Sequence, residues 1–316
     1  MVYRTLGRTA IKVGLLSMGT GGFKALGQTS QDPRPEKEMH QLLHHAHELG
    51  LTHYDTSPGY SESEVILGRA LGALPRDSYT VSTKAAFADE NHVKTKKEVR
   101  QTVETSLRRL QLDYLDLMLI GGTTVEYADV VIQEHIPVLE QMKQEGTIRF
   151  IGSSEVTRSD GSHEWLKILL PHDSIDVVMT GHNMINQSAR HAVFPICKKH
   201  NLGVMNIFTV RNLFWNIPRL EEVIADLKQR GVIDRDAVPD TRPLDWILQQ
   251  SDAESLVEAA YRYAAYTDPV STVMCGTIDI PELEADVRFV EKGPLPDTVL
   301  ARLDALFGHI SEAIGN

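Results

Sequence analysis

Cysteine is nearly absent: only Cys197 and Cys275 occur in 316 residues, far apart and in apolar surroundings. That excludes a disulfide framework and fits a reducing, cytoplasmic compartment. Isolated cysteines of this kind behave as small buried hydrophobes. Clustered positive charge is also missing. The chain carries 43 Asp+Glu against 32 Lys+Arg, a net charge of −11, and no Lys/Arg run. Nucleic acid and anionic membrane surfaces are therefore not expected partners, since both need grouped cations. No apolar stretch approaches the roughly 20 residues that span a bilayer. The first residues, "MVYRTLGRTAIKVGLLSMG", lack the apolar core of a signal peptide. There is no low-complexity segment and no linker, so residues 1–316 read as a single domain.

Short apolar runs are what the chain has in quantity. They occur at 13–21, 52–57, 79–85, 116–122, 149–155, 176–183, 203–210 and 270–277, each bounded by Gly, Asp, Ser or Thr. Continuous apolar runs of this length suit strands buried on both faces, as in parallel sheets. Helix-like segments lie between them. "EKEMHQLLHHAHELG" ends on Gly50, a helix stop, and "SEVILGRALGAL" opens on Ser63, which can cap a first turn. Eight strand–helix units predict an α/β fold, a closed (β/α)8 TIM barrel with its chemistry at the carboxyl ends of the strands. A doubly wound open sheet is the competitor, but it usually has fewer strands. Residues 3–14 read as an N-terminal hairpin plugging the barrel floor. A long insertion after strand seven (209–252) and a longer loop after strand four (121–134) should overhang the mouth. Residues 296–314 read as a final helix.

Strand-end residues of a barrel converge. Asp55 ends strand two, Tyr60 follows in its loop, and Lys84 ends strand three. A tyrosine with its usual pKa of about 10 exchanges protons poorly at neutral pH. A neighbouring ammonium favours the phenolate, and a carboxylate keeps that ammonium charged and oriented. Together the three make a tuned proton donor or acceptor. Taken singly, Asp55 could cap a loop, Tyr60 pack on the surface and Lys84 lie in solvent.

"HYDTSPGYSESEVILGRAL" resembles the aldo-keto reductase signature, D-T-A/S-x-x-Y-x-x-S-E-x-x-L-G. "YTVSTK", "IGSSEV", "GVMNIFTVR" and "VSTVMCGTIDIPELEADV" resemble later motifs of that family in the same order, so the likeness runs from Val13 to Val287. It implies a (β/α)8 barrel with a nicotinamide cofactor, NAD(P)(H), at the carboxyl end and a small-molecule substrate. By that resemblance Tyr60 protonates the carbonyl oxygen, Lys84 tunes it and Asp55 pairs with Lys84. The cofactor would meet Thr20, Gly21 and Asp55, then Ser154 and Met179. It would go on to the run Ile207, Phe208 and Thr209, and to Arg211, Gly276, Thr277, Glu282 and Asp286.

The chain departs from the family at several places: Glu155 follows Ser154 where the family has Asn, Met179 replaces Gln, Ile207 replaces a stacking tyrosine, Ala285 and Asp286 replace an acidic-then-Asn pair, and two further departures bear on function. The usual histidine at the end of strand four is replaced by Gly121 in "DLMLIGG". Three readings follow. Water or a bulkier, sugar-like substrate fills the gap and hydride transfer continues; or His182 substitutes; or the barrel binds nucleotide without turnover, or runs a lyase or isomerase reaction on the same Tyr–Lys–Asp group. Secondly, Glu282 stands where an arginine usually grips the adenosine 2′-phosphate, and like charges repel. NAD is therefore expected over NADP. Trp215, with Phe214 and Trp246, could line a substrate pocket or pin the insertion to the barrel. His40, His44 and His47 share a helix face, but no Cys or carboxylate completes a tetrahedral set, so no metal is expected. The sequence sets neither the substrate nor the oligomeric state.

Overall fold

The computed structural model describes residues 1–22, 24–29, 32–155 and 160–312. The expected hairpin forms from β1 (Tyr3–Thr5) and β2 (Lys12–Gly14), with Tyr3 opposite Gly14. The eight apolar runs become β3 (Leu16–Gly19), β4 (His53–Asp55), β5 (Thr80–Ala85), β6 (Leu115–Ile120), β7 (Ile148–Ser154), β8 (Val177–Gly181), β9 (Gly203–Ile207) and β10 (Thr272–Cys275). They pair in parallel in chain order, and β10 closes the ring against β3 (Val273 with Leu16) and β9 (Thr272 with Met205). The open-sheet alternative is thereby set aside: both edges are used.

Hydrophobic burial is divided among three clusters. The largest lies between the strands and the surrounding helices. A small one fills the lower barrel, where Leu6, Ile11 and Val13 of the hairpin meet Leu117, Leu119, Val177, Met179 and Met205. The hairpin is thus a floor plug, closing one end of the scaffold so that chemistry is confined to the other. The third cluster belongs to the insertion. Its helix Ile217–Gln229 buries Leu220, Ile224 and Leu227 against Leu303 and Phe307 of the final helix, Asp297–Phe307. Phe214 and Trp246 are buried in the same cluster, whereas Trp215 is 63% exposed. Phe214 and Trp246 therefore pin the insertion, and only Trp215 is left free to meet a ligand.

Two local expectations are corrected. The segment 121–134 is not a long loop: helical turns begin at Val125 and lead through a widened turn, Val131–His135, into the helix Ile136–Gln144. Ser63 does not cap its helix either. Its hydroxyl donates to Thr20 Oγ1 at 2.5 Å and lies 3.0 Å from Thr56 Oγ1, tying the loops after β3 and β4 together.

His182 is the third correction. The ring follows β8 but is fully buried, 5.2 Å from the ring of Phe194 and 5.2 Å from that of Tyr263 on the helix Leu256–Ala265. It packs into the helical layer and cannot replace a strand-four histidine at the mouth. Burial, then the charges of Arg190, His191 and His163, lower its pKa from 6.5 to about 3. The fold holds it neutral, while the unfolded chain charges it below about pH 6.5. Its contribution to stability is therefore full above that pH and is lost as pH falls toward 3. Both ring nitrogens lack a partner among the described residues, so His182→Leu sacrifices no hydrogen bond. The variant should shed about 2 kcal/mol of the stability loss between about pH 7.5 and about pH 5, measured by urea unfolding at the two pH values.

Candidate active site

Strand period brings Asp55, Ser82 and Lys84 together. Successive side chains alternate faces, so Asp55 on β4 and Ser82 and Lys84 on β5 share the inward side, and the register sets Asp55 opposite Ser82. Lys84 Nζ donates to Asp55 Oδ2 at 2.5 Å and to the Thr56 carbonyl at 3.2 Å. Ser82 Oγ donates to Asp55 Oδ1 at 2.7 Å. Both carboxylate oxygens are thus engaged, and Asp55 is 4% exposed. The Lys84 ammonium lies 4.8 Å from the centre of the Tyr60 ring. Burial alone would disfavour the charged ammonium. The Asp55 carboxylate and the Tyr60 hydroxyl, each as a charge and as a hydrogen-bond partner, outweigh it and raise Lys84 above its ordinary value. The three residues form one unit at the rim, as the sequence predicts.

The loop after β3 shapes this unit in a way the sequence reading missed. A Cβ on Gly21 would lie 2.3 Å from Tyr60 Cε2, so only glycine lets the phenol ring lie against this backbone. Thr20 braces the neighbouring strand. It is buried, and both its amide and its hydroxyl donate to the Asp55 carbonyl at 2.9 Å, so it holds β4 in place. Gly121 stands between Lys84 and Ser154: a Cβ there would meet the Cβ of each at 3.7 Å, an ordinary contact. The position is open, and its backbone is not in the left-handed region.

The remaining mouth residues divide into exposed and buried sets. Phe208 is 39% exposed, and the Arg211 guanidinium lies 3.9 Å from its ring centre. Ile207, the last residue of β9, is partly buried against the interior cluster. Trp215 Nε1 donates to the Arg211 carbonyl at 2.8 Å, linking the exposed tryptophan to the same edge. Thr209 is buried and bonded to Asn206, and Met179 is a member of the interior apolar cluster; neither offers a polar group to the mouth. Gly276 approaches the first loop, with its added Cβ 3.7 Å from the Gly21 carbonyl. Thr277 Oγ1 donates to Glu282 Oε2 at 2.6 Å, at the first turn of the helix Ile280–Glu291. Asp286 turns out to be buried against Tyr261. Burial pushes its carboxyl up to about 7 against the Tyr261 hydrogen bond, with the Glu282 charge adding to the rise.

Glu155, which follows Ser154 where the family has Asn, is turned into the wall. It is buried and accepts from the Gly181 amide at 2.6 Å and Thr180 Oγ1 at 2.9 Å, and its Oε2 lies 2.6 Å from His163 Nδ1. His163 reaches Ser188 Oγ at 2.8 Å on its other side. The only sequence-level signal was an acid following Ser154. The "IGSSEV" motif runs on to Val156, which lies outside the described residues. The histidines of the first helix are dispersed among separate partners, His44 on the Ala70 carbonyl, His45 on Glu284 and His47 on Ser78.

The model of the aldo/keto reductase family matches residues 16–307. The chain is 27% identical over 302 residues to an L-galactose dehydrogenase of Arabidopsis thaliana, a match covering 91% of this chain and 87% of that one. It is 28% identical over 215 residues to an NADH-specific methylglyoxal reductase of Escherichia coli, covering 63% and 64%. Among solved structures, an aldo-keto reductase from Bacillus halodurans in its holo form superposes with a TM-score of 0.73 at 24% identity, over 97% of this chain and 96% of that one, which speaks for the fold. With the barrel, the strand-end convergence and a match over nearly its whole length, the chain belongs to the aldo/keto reductase family of NAD(P)-dependent oxidoreductases.

Proposed function

We propose that the protein interconverts a carbonyl and an alcohol, with Tyr60 as the proton carrier and NAD(H) preferred over NADP(H). The Asp55–Lys84–Tyr60 arrangement is the single observation that carries this reading. Tyr60 gives its hydroxyl proton to the carbonyl oxygen. The Lys84 ammonium faces the phenolate that remains, and Asp55, held by Ser82, keeps Lys84 in place. In the oxidative direction the same groups take the proton back. The mouth suits a dinucleotide: backbone bare of a side chain at Gly276, the turn at Thr277 and the Arg211 guanidinium. These residues, with Ser154, Phe208 and Glu282, would hold the nicotinamide cofactor, which supplies hydride to the carbonyl carbon when bound.

Glu282 supports the cofactor preference. Its carboxylate, tied to Thr277, can accept a hydrogen bond from a ribose hydroxyl but would repel a 2′-phosphate. The relative described as NADH-specific points the same way. The open space at Gly121 favours a substrate larger than a simple aldehyde, with its own hydroxyls to fill it. The sugar named in the first relative's title is of that class.

Three outcomes test the reading. Tyr60→Phe should lower turnover of sugar and aldehyde substrates by about a hundredfold or more while cofactor binding persists, read from nicotinamide absorbance and from fluorescence titration. Gly121→His should raise reduction of simple aldehydes, measured as kcat/KM on a short-chain panel, because it returns a carbonyl-polarising donor whose worth in comparable sites is about 3 kcal/mol. In fluorescence titrations NADH should bind more tightly than NADPH, and Glu282→Arg should reverse the order. Tighter binding of NADPH by the wild type would refute the cofactor assignment.

A further inference from the structure

The lower barrel holds a file of polar side chains where branched apolar residues usually stack. His53 and Asp55 on β4, with Thr80, Ser82 and Lys84 on β5, occupy alternate positions and so share the inward face; the register pairs His53 with Thr80 and Asp55 with Ser82. His53 and Ser82 are fully buried. The contacts are continuous. Thr80 Oγ1 lies 2.9 Å from His53 Nδ1, and His53 Nε2 lies 3.1 Å from Ser82 Oγ. Ser82 Oγ donates to Asp55 Oδ1 at 2.7 Å, and Asp55 Oδ2 meets Lys84 Nζ at 2.5 Å. At its lower end Thr80 is half-buried and, with Thr52, Tyr79 and Lys12, lines a cleft of about 410 Å³ beside the hairpin plug. The file therefore reaches from the opposite end of the barrel to the Tyr60 unit.

The donors are ordered. Ser82 spends its one proton on Asp55, so it must accept from His53 Nε2. His53 then carries its proton on Nε2 and accepts at Nδ1 from Thr80. The Ser82 hydroxyl and the His53 Nε2–H point toward Asp55, while the one Thr80 proton has two acceptors in reach, His53 Nδ1 at 2.9 Å and the Thr52 carbonyl at 3.2 Å. Burial keeps the imidazole neutral by lowering its pKa to about 4, against the opposing charges of Asp55 and Asp116. A neutral imidazole with one donor and one acceptor passes a proton by taking it on one nitrogen and releasing it from the other.

We propose that Thr80, His53 and Ser82 form an internal proton relay from the barrel floor to the Asp55–Lys84–Tyr60 unit. This rests on Tyr60 being the proton carrier. When Tyr60 has given up its proton and ligands cover the mouth, one proton from water in the floor cleft enters at Thr80. One proton leaves Ser82 for Asp55, the Lys84 ammonium passes one to the phenolate, and the Asp55 carboxylic acid gives one back to the Lys84 amine. Each group gains one proton and loses one, and no charge accumulates in the barrel. Ser82 and His53 act through Asp55 and are positioning residues; neither touches substrate.

Two measurements decide it. In the ligand-free protein, ¹⁵N NMR of the His53 ring should show the neutral form protonated at Nε2 at neutral pH; protonation at Nδ1, or a charged ring, would break the file and overturn the relay. The second compares Thr80→Val with an active wild type, whose own turnover tests the preceding proposal separately. The first turnover, using the proton already on Tyr60, should stay within about twofold of wild type, while steady turnover falls about tenfold with a larger solvent deuterium effect. Equal loss in both phases would mean that Thr80 only packs the barrel, and no loss in either would mean that the file carries no protons; either result overturns the proposal.

Discussion

The buried ion pair between Asp55 and Lys84 is the constraint on which the site depends. Two opposite charges within a barrel cost much of their hydration, and removing either partner from such a pair typically costs about 3–5 kcal/mol. This pair is satisfied on all sides: Ser82 and Lys84 occupy the two carboxylate oxygens, and Thr56 takes a second proton of the ammonium. Because the ends of β4 and β5 are locked in this way, the Tyr60 ring can rest against Gly21 with the ammonium beneath it. The closed ring of strands supplies the rigidity, and the hairpin plug keeps the other end filled.

Around that unit the mouth is built by exchange of polar groups. Gly121 removes a side chain between Lys84 and Ser154, and Glu155 places a carboxylate one residue beyond. The acid is drawn into the wall by Gly181, Thr180 and His163 rather than left facing the opening. The insertion is anchored by its own apolar cluster with the final helix, which leaves Trp215 and the Phe208–Arg211 pair as the exposed edge. Anchoring and recognition are thus performed by different residues of one segment.

Much of the fold was legible because it rests on local signals. Eight apolar runs of strand length, separated by helical periodicity, leave few architectures other than a barrel, and each run became a strand. The Asp55, Tyr60 and Lys84 unit was legible for a related reason, since strand ends of a barrel converge. The differences lie where a side chain has two uses. Ser63 reads as a helix cap, yet its hydroxyl binds Thr20, which serves Asp55. His182 reads as a mouth residue, yet it turns toward the helical layer, where Phe194 and Tyr263 receive it.

By itself, then, the sequence determined the barrel, the hairpin at its floor, the place of the insertion and the grouping of Asp55, Tyr60 and Lys84. All of these follow from periodicity and from the order of short motifs. Only the tertiary structure decided which polar groups face inward together: the file from Thr80 to Lys84, the burial of Glu155 and the opening at Gly121. The reason is that strand register and barrel closure bring residues some 30 positions apart within hydrogen-bond distance. No local pattern encodes that spacing.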